Sequence, residues 1–83
     1  MWLIMTKGIM VIKTKIGKWK KVIEELKLIH QIKQISTLTG IYDILVEIQV
    51  NEMDELNEIM LEKVDTIEGI ISTNTFIVLK DYK

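Results

Sequence analysis

The segment that decides the fold reads Tyr42-Asp-Ile-Leu-Val-Glu-Ile-Gln-Val50. From Ile44 onward, every second residue is a β-branched aliphatic one, and leucine, glutamate and glutamine lie between them. Successive side chains of a β-strand point to opposite faces of a sheet, so this alternation predicts a strand with one well-buried face. The predicted strand runs from residue 42 to residue 50.

The segments next to this strand predict a hairpin before it and a helix after it. Residues 32–38 form a second strand pattern, and Thr39-Gly40 predicts a tight turn between the two strands. Asn51 is a favourable N-cap for a helix whose apolar positions recur as far as Ile67. Gly69 is then expected to end that helix as its C-cap.

The outer segments complete the topology. Residues 9–16 are rich in β-branched side chains and predict the first strand, and residues 70–79 predict the last. An apolar stripe from Trp19 to Ile29 predicts a helix between the first two strands, with Trp19 in the core. The order β-α-β-β-α-β is typical of an α+β, ferredoxin-like fold, in which a four-stranded antiparallel sheet carries both helices on one face.

Two of the predicted strands are apolar on both faces. Residues 9–12 read Ile-Met-Val-Ile, and residues 76–79 read Phe-Ile-Val-Leu. Because the helices cover only one face, half of each run must lie on the other. At about 25 cal/mol per Å² of apolar surface, leaving several such side chains in water costs several kcal/mol. This pattern predicts that two copies pair sheet against sheet.

Composition excludes several classes of site. The 83 residues suit one domain, and 48% of them are apolar. There is no cysteine and only one histidine, His30, which excludes disulfides, thiolate metal sites and a multi-histidine site within one chain. Neither a nucleophile with a neighbouring base nor a glycine-rich phosphate loop is present. The sequence predicts a protein that is not an enzyme and needs no cofactor or metal.

Charge argues against direct contact with nucleic acid. Every basic residue is a lysine and the net charge is −1, so the arginines that commonly read bases and clamp phosphates are lacking. Eight lysines and two acids precede residue 42, whereas three lysines and ten acids follow residue 41. The two halves are either solvated faces of opposite sign or surfaces that dock on one another in neighbouring copies. No run of 18 apolar residues occurs, and a cytoplasmic protein is predicted.

Two polar clusters interrupt the apolar strands, at residues 39–43 and 72–75. Each has an ordinary explanation, a hydrogen-bonded turn for the first and strand threonines on a wet face for the second. Together they offer what an amino acid requires. The Asp43 carboxylate suits an α-ammonium group, while hydroxyls and backbone N–H groups near a glycine turn suit an α-carboxylate.

The same clusters carry a family resemblance. Residues 39–46, Thr-Gly-Ile-Tyr-Asp-Ile-Leu-Val, resemble the T-G-x-Y-D-[IL]-L-V hairpin of the Lrp/AsnC transcription regulators. Residues 69–79 are similar to the last strand of that family, G-V-x-x-T-x-T-x-I-[VL]-L. The resemblance implies an effector-binding (RAM) domain over residues 8–83 without a helix-turn-helix. Residues 1–7 are then an N-terminal extension, with Met1 or Met5 as the start.

The resemblance also implies an assembly and a ligand. Members of the family dimerise through the sheet as an α+β barrel, assemble dimers into discs that are often octamers, and bind amino acids between dimers. By motif match, Gly40, Tyr42 and Asp43 are expected at the α-amino and α-carboxylate groups, with Thr73 and Thr75 nearby.

The function expected from these features is amino-acid sensing by a homo-oligomer that acts on DNA indirectly, through mixed assemblies with full-length Lrp/AsnC regulators. The alternatives are a structural assembly module without a ligand and a small dimeric ferredoxin-like enzyme, such as a cofactor-independent monooxygenase. The enzyme would need an acid or base in a pocket between helices and sheet, whereas the polar clusters here fall at strand ends.

Overall fold

The computed structural model describes residues 5–83 and confirms the predicted element order. All three strand pairs are antiparallel, and the sheet order is β2-β3-β1-β4, with β1 and β3 in the centre. The elements are β1 (Thr6–Thr14), α1 (Trp19–Leu26), β2 (Ile32–Thr37), β3 (Ile44–Val50), α2 (Met53–Ile59), a π-helical turn (Met60–Val64) and β4 (Ile70–Ile77).

The core lies between one face of the sheet and the two helices. In β3, all four residues at alternate positions from Ile44 to Val50 are buried, as the sequence pattern predicts. Both helices lie over this face, because buried residues of each belong to the same apolar cluster as the central strands. The α+β, ferredoxin-like fold is therefore confirmed. The buried helical side chains are Val22, Leu26, Leu56, Ile59 and Val64.

The first strand begins earlier and ends earlier than the prediction of residues 9–16. Thr6 pairs with Val50 and Lys7 with Gln49, so β1 extends as far as its partner β3 provides hydrogen-bonding groups. Between Lys13 and Thr14 the register with β4 shifts, β1 ends at Thr14, and Ile16 is fully exposed. Thr6 and Lys7 of the predicted N-terminal extension are thus strand residues, whereas residues 1–4 lie outside the described part of the chain.

Trp19 does not lie in the core, and this prediction is wrong. Its side chain is 41% exposed, although it begins the apolar stripe of α1. The helix starts at this residue, so only the following turns, at Val22 and Leu26, reach the sheet. Trp19 instead borders a shallow depression next to the connection between β2 and β3.

The β2–β3 connection is wider than the predicted two-residue turn. The strands end at Thr37 and resume at Ile44, and the backbone N–H of Leu38 donates to the carbonyl of Asp43 at 2.8 Å. The six residues 38–43 therefore form a loop, and β3 starts two residues later than predicted. The last strand also stops two residues early, at Ile77.

Both predicted caps of the second helix are wrong. The residue before α2 is Glu52, whose backbone is extended, and Asn51 lies one position further out. The N–H of Asn51 donates to the Glu55 carboxylate at 2.9 Å. Glu55, in the first turn of α2, therefore holds the start of the helix, and the side chain of Asn51 does not cap it. At the other end, the Thr66 hydroxyl donates to two helical carbonyls, several residues before Gly69.

The second face of the sheet is not covered by either helix. It carries the partly exposed apolar side chains of Ile9, Val11 and Leu45, together with Phe76, which is 58% exposed. Ile9 and Val11 of the first doubly apolar run and Phe76 of the second therefore face away from the helices, as expected, whereas Val78 and Leu79 lie beyond the end of β4. We call this surface, defined by Ile9, Val11, Leu45 and Phe76, the open sheet face.

Candidate ligand-binding site

Asp43 lies in the loop before β3, where the end of β1 holds its carboxylate. Oδ2 accepts hydrogen bonds from the backbone N–H of Thr14 at 2.7 Å and from the Thr14 hydroxyl at 3.2 Å. The N–H of Asp43 itself donates to the Ile12 carbonyl. The Thr14 N–H bond lowers the pKa of Asp43, and the Thr14 hydroxyl and the charge of Lys13 lower it further. The carboxylate is consequently ionised at neutral pH.

The other two predicted residues of this loop occupy different surroundings. The Tyr42 hydroxyl accepts a hydrogen bond from the side-chain amide of Asn74 on β4. Because Asn74 alternates with Thr73 and Thr75, it projects from the open sheet face. Gly40 is exposed at the loop tip with a φ of 131°, and apart from its two chain neighbours no described residue comes within 4 Å of the position a Cβ would take. Its backbone is therefore accessible to a ligand.

Thr73 and Thr75 lie on the helix side of the edge strand β4. They line a groove of about 380 Å³ between that strand and the second helix. The Thr75 hydroxyl contacts the Met60 sulfur at 3.4 Å. We call this the edge groove; the remaining side chains that line it are Met53, Leu56, Asn57, Met60, Leu61, Asp65 and Ile77.

Within one protomer, the predicted site residues do not converge on one pocket. Asp43 borders a depression of about 260 Å³ with Trp19, Thr37 and Leu38. The edge groove contains the two threonines and shares no lining residue with that depression. The predicted residues thus fall into two groups, which we call the half-sites of the predicted site: one at the β2–β3 loop and one on the helix side of the edge strand β4.

No metal-binding constellation accompanies either half-site. Across residues 5–83, no three or more His, Asp or Glu side chains are grouped so that they could hold an ion. No helix in this same part of the chain is both long and apolar enough to span a bilayer.

Comparison with known proteins identifies the domain. Residues 8–83 match the family described as the Lrp/AsnC ligand binding domain. The chain belongs to this family. The HTH-type transcriptional regulator FL11 of Pyrococcus furiosus is 40% identical over 72 residues, which are 87% of this chain and 47% of that regulator. The chain thus spans about half the length of this relative.

Solved structures show the same fold for the Lrp/AsnC domain. AsnC of E. coli superposes with a TM-score of 0.90 at 24% identity, over 94% of this chain and 53% of that one. A Neisseria meningitidis transcriptional regulator, solved in complex with L-Met, superposes with a TM-score of 0.87 at 16% identity, over 94% of this chain and 52% of its own.

Sequence reasoning missed two kinds of residue at the half-sites of this Lrp/AsnC domain. Thr14 was an ordinary strand residue, and only the pairing of distant strands brings it to Asp43. Met53 and Met60 recur at the helical spacing that predicts the apolar face of the second helix, and both line the edge groove. The sequence offers one signal near these residues, which is Asn74. Its position within the polar run 72–75 indicates that the last strand is polar on both of its faces there.

Proposed function

We propose that this Lrp/AsnC domain senses an amino acid in clefts between sheet-paired dimers of a homo-oligomer, with a tetramer of dimers as the assembled form. The observation that carries this proposal is the separation of the two half-sites. A loop that holds an ionised carboxylate and a groove with two hydroxyls lie apart in one copy. A neighbouring copy that presents its loop to the groove would complete the site.

The chemistry of the half-sites supports an amino acid. Asp43 is ionised, and both hydrogen bonds from Thr14 go to the same carboxylate oxygen, Oδ2. A carboxylate has about four acceptor positions, so Asp43 can also bind an α-ammonium group. The exposed backbone at Gly40 and the hydroxyls of Thr73 and Thr75 offer donors to an α-carboxylate. The Neisseria regulator of the same fold, solved with L-Met, is consistent with this choice of ligand.

The open sheet face supports the dimer. Ile9 lies between Glu47 and Phe76 in the register, and Val11 lies between Leu45 and Asn74. Ile9 and Val11 thus lie on the central strand, with one apolar and one polar side chain beside each of them. Two copies can share such a surface around a two-fold axis. Covering it recovers the several kcal/mol lost when those side chains remain in water.

The regulatory output is proposed to be indirect. With no arginine and a net charge of −1, this domain lacks the electrostatic footprint of a DNA-binding surface. It would act in the cytoplasm by joining Lrp/AsnC regulators in mixed assemblies and altering their ligand response. Co-purification with a tagged copy should recover a full-length regulator; recovery of the tagged chain alone would contradict this step.

A ligand screen tests sensing. Saturation at 100 times Kd stabilises the folded state by about 2.7 kcal/mol, which for a domain of this size raises Tm by roughly 10 °C or more. We expect at least one of the common amino acids to raise Tm and increase the sedimentation coefficient.

Isosteric variants locate the binding. Thr73→Val removes a hydroxyl from the edge groove without changing the volume, and it should abolish most of the ligand-dependent rise in Tm. Thr6→Val, a strand threonine that lines neither half-site, should leave the rise unchanged. No response of the wild type to any amino acid would favour the structural assembly module. A response that survives Thr73→Val would show that the site is elsewhere.

A further inference from the structure

A backbone irregularity lines one side of the edge groove. After Ile59 the helix widens into the π-helical turn, and the N–H of Asp65 donates to the carbonyl of Met60, five residues earlier, at 2.8 Å. A π-helical turn inserts an extra residue into a helix, and such turns occur frequently at functional sites. This one lies opposite Thr73 and Thr75, so the irregularity and the predicted ligand contacts share one surface.

The wall of the edge groove is mostly apolar and partly uncovered. Five of its nine lining side chains are aliphatic or thioether groups. Leu61 is 68% exposed and Met53 is 45% exposed, so apolar surface in the groove remains available to a ligand. Methionine side chains are flexible and polarisable, which lets such a wall adapt to apolar groups of different shape.

The polar lining of the edge groove selects against charged side chains. Among the described residues 5–83, Asp65 is the only ionisable one that lines it, and no lysine does. An acidic ligand side chain would face a like charge without a cationic partner. A basic one would lose hydration against the apolar wall and gain a single exposed carboxylate in return. An uncharged, flexible hydrocarbon or thioether group meets neither penalty.

We infer that the amino acid recognised by this domain has an apolar aliphatic or thioether side chain, of the leucine and methionine class, and that this side chain lies in the edge groove. The inference rests on the proposed function, because it assigns the ligand class of the same site. The α-carboxylate then lies at the mouth of the groove near the hydroxyls of Thr73 and Thr75, and the α-ammonium group lies toward the β2–β3 loop of a neighbouring copy.

Matched ligands test the class. Norleucine lacks the terminal ammonium group of lysine but has the same carbon chain. Leucine and asparagine have side chains of similar shape, but that of leucine is apolar and that of asparagine is a polar amide. Calorimetric titration of the assembled wild-type protein should show norleucine and leucine binding at least tenfold more tightly than lysine and asparagine. Tighter binding of lysine, glutamate or asparagine would overturn the inference while leaving amino-acid sensing intact. No binding of any of them, or of the other common amino acids, would instead defeat the proposed function.

Matched variants test the location. Leu61→Glu places a charge in the edge groove and should weaken leucine binding at least tenfold. Leu28→Glu is the control, because Leu28 is 79% exposed and lines a different depression, and the change of charge is the same. Leu61→Gln repeats the test without a charge if the glutamate variant proves unstable. Equal leucine affinity in the Leu61 and Leu28 variants would place the side chain outside the groove and overturn the assignment.

Discussion

Asp43 has a structural role that is separate from the proposed ligand contact. Its carboxylate accepts both hydrogen bonds from Thr14, which ties the β2–β3 loop to the end of the central strand β1. The proposed site and the stability of the loop thus depend on the same side chain. Loss of Asp43 would weaken folding as well as binding, which is why Thr73→Val is the cleaner test of recognition.

The lowered pKa of Asp43 makes stability depend on acid pH. Because the folded state holds this proton less tightly than the unfolded state, the contribution of Asp43 is present above the ordinary carboxylate pKa of about 3.9 and is lost as pH falls through the lower folded value. Asp43→Asn should reduce the free energy of unfolding at neutral pH and flatten its decline in acid. Urea unfolding at about pH 7 and about pH 3 measures both effects.

Glu58→Gln is the control for this prediction. Glu58 is an exposed helical carboxylate with no hydrogen bond or ion pair to any of residues 5–83. Its variant should keep the acid dependence of the wild type. Equal pH profiles for the wild type and Asp43→Asn would show that the Thr14 contact does not stabilise the fold.

At the scale of elements, the second helix is held by side chains that also contact other parts of the fold. Glu55 accepts the N–H of Asn51 with one oxygen and the side-chain amide of Gln31, next to β2, with the other at 3.1 Å. The Asn51 bond is the main cause of the lowered pKa of Glu55. The start of α2 is therefore joined to the neighbouring edge of the sheet by an acid rather than by a capping asparagine.

Alanine substitutions at two glycines separate the cost of backbone strain from the cost of side-chain crowding. Gly40 and Gly69 both have positive φ, so alanine at either site costs about 1–2 kcal/mol from backbone conformation. At Gly69 a Cβ would also lie 3.0 Å from the Lys18 Cβ and 3.3 Å from Val22 Cγ2. Gly69→Ala should therefore be more destabilising than Gly40→Ala by about 1 kcal/mol or more. Chemical denaturation of both variants checks the order; equal losses would mean that α1 moves aside without cost.

At the scale of the whole molecule, the two faces of the sheet have different roles. One is closed by the helices in every protomer, whereas the open sheet face and the edge groove remain available for a second copy and a ligand. The two surfaces lie on opposite sides of the sheet. The proposed sheet pairing would therefore leave the groove accessible to neighbouring dimers.

Val11→Lys tests the role of the open sheet face. Val11 lies on the central strand between Leu45 and Asn74. In the proposed sheet-paired dimer, a lysine there would be buried in each copy without a charged partner. Sedimentation velocity should show the variant dissociating to monomers at concentrations where the wild type is assembled. Leu28→Glu, on the helix side, should remain assembled; a Val11→Lys protein that assembles like the wild type would exclude this face as the interface.

Much of the fold follows from local pattern. Alternation in β3 sets its buried face, helical spacing sets the buried residues of α1 and α2, and the order of the segments leads to the ferredoxin-like topology. These features depend on residues close in the chain, where side-chain period and backbone geometry are sufficient. The motifs of residues 39–46 and 69–79 likewise point to the family through the sequence alone.

Some of the misplaced details depend on partners far along the chain. Trp19 has helical spacing but lies before the part of α1 that reaches the sheet, and β1 begins opposite Val50, the last residue of β3. The π-helical turn at Met60–Val64 interrupts a helical pattern that continues to Ile67. Local periodicity cannot reveal where a distant element ends.

By itself, the sequence determined the class of fold, the doubly apolar strands and the two polar clusters, because each depends on the pattern of residues that are close together in the chain. Only the tertiary structure decided that Asp43 contacts Thr14, that Tyr42 meets Asn74, and that the clusters form separate half-sites. Those relations are set by strand register and sheet order. Both result from packing the whole chain, and no segment encodes either one alone.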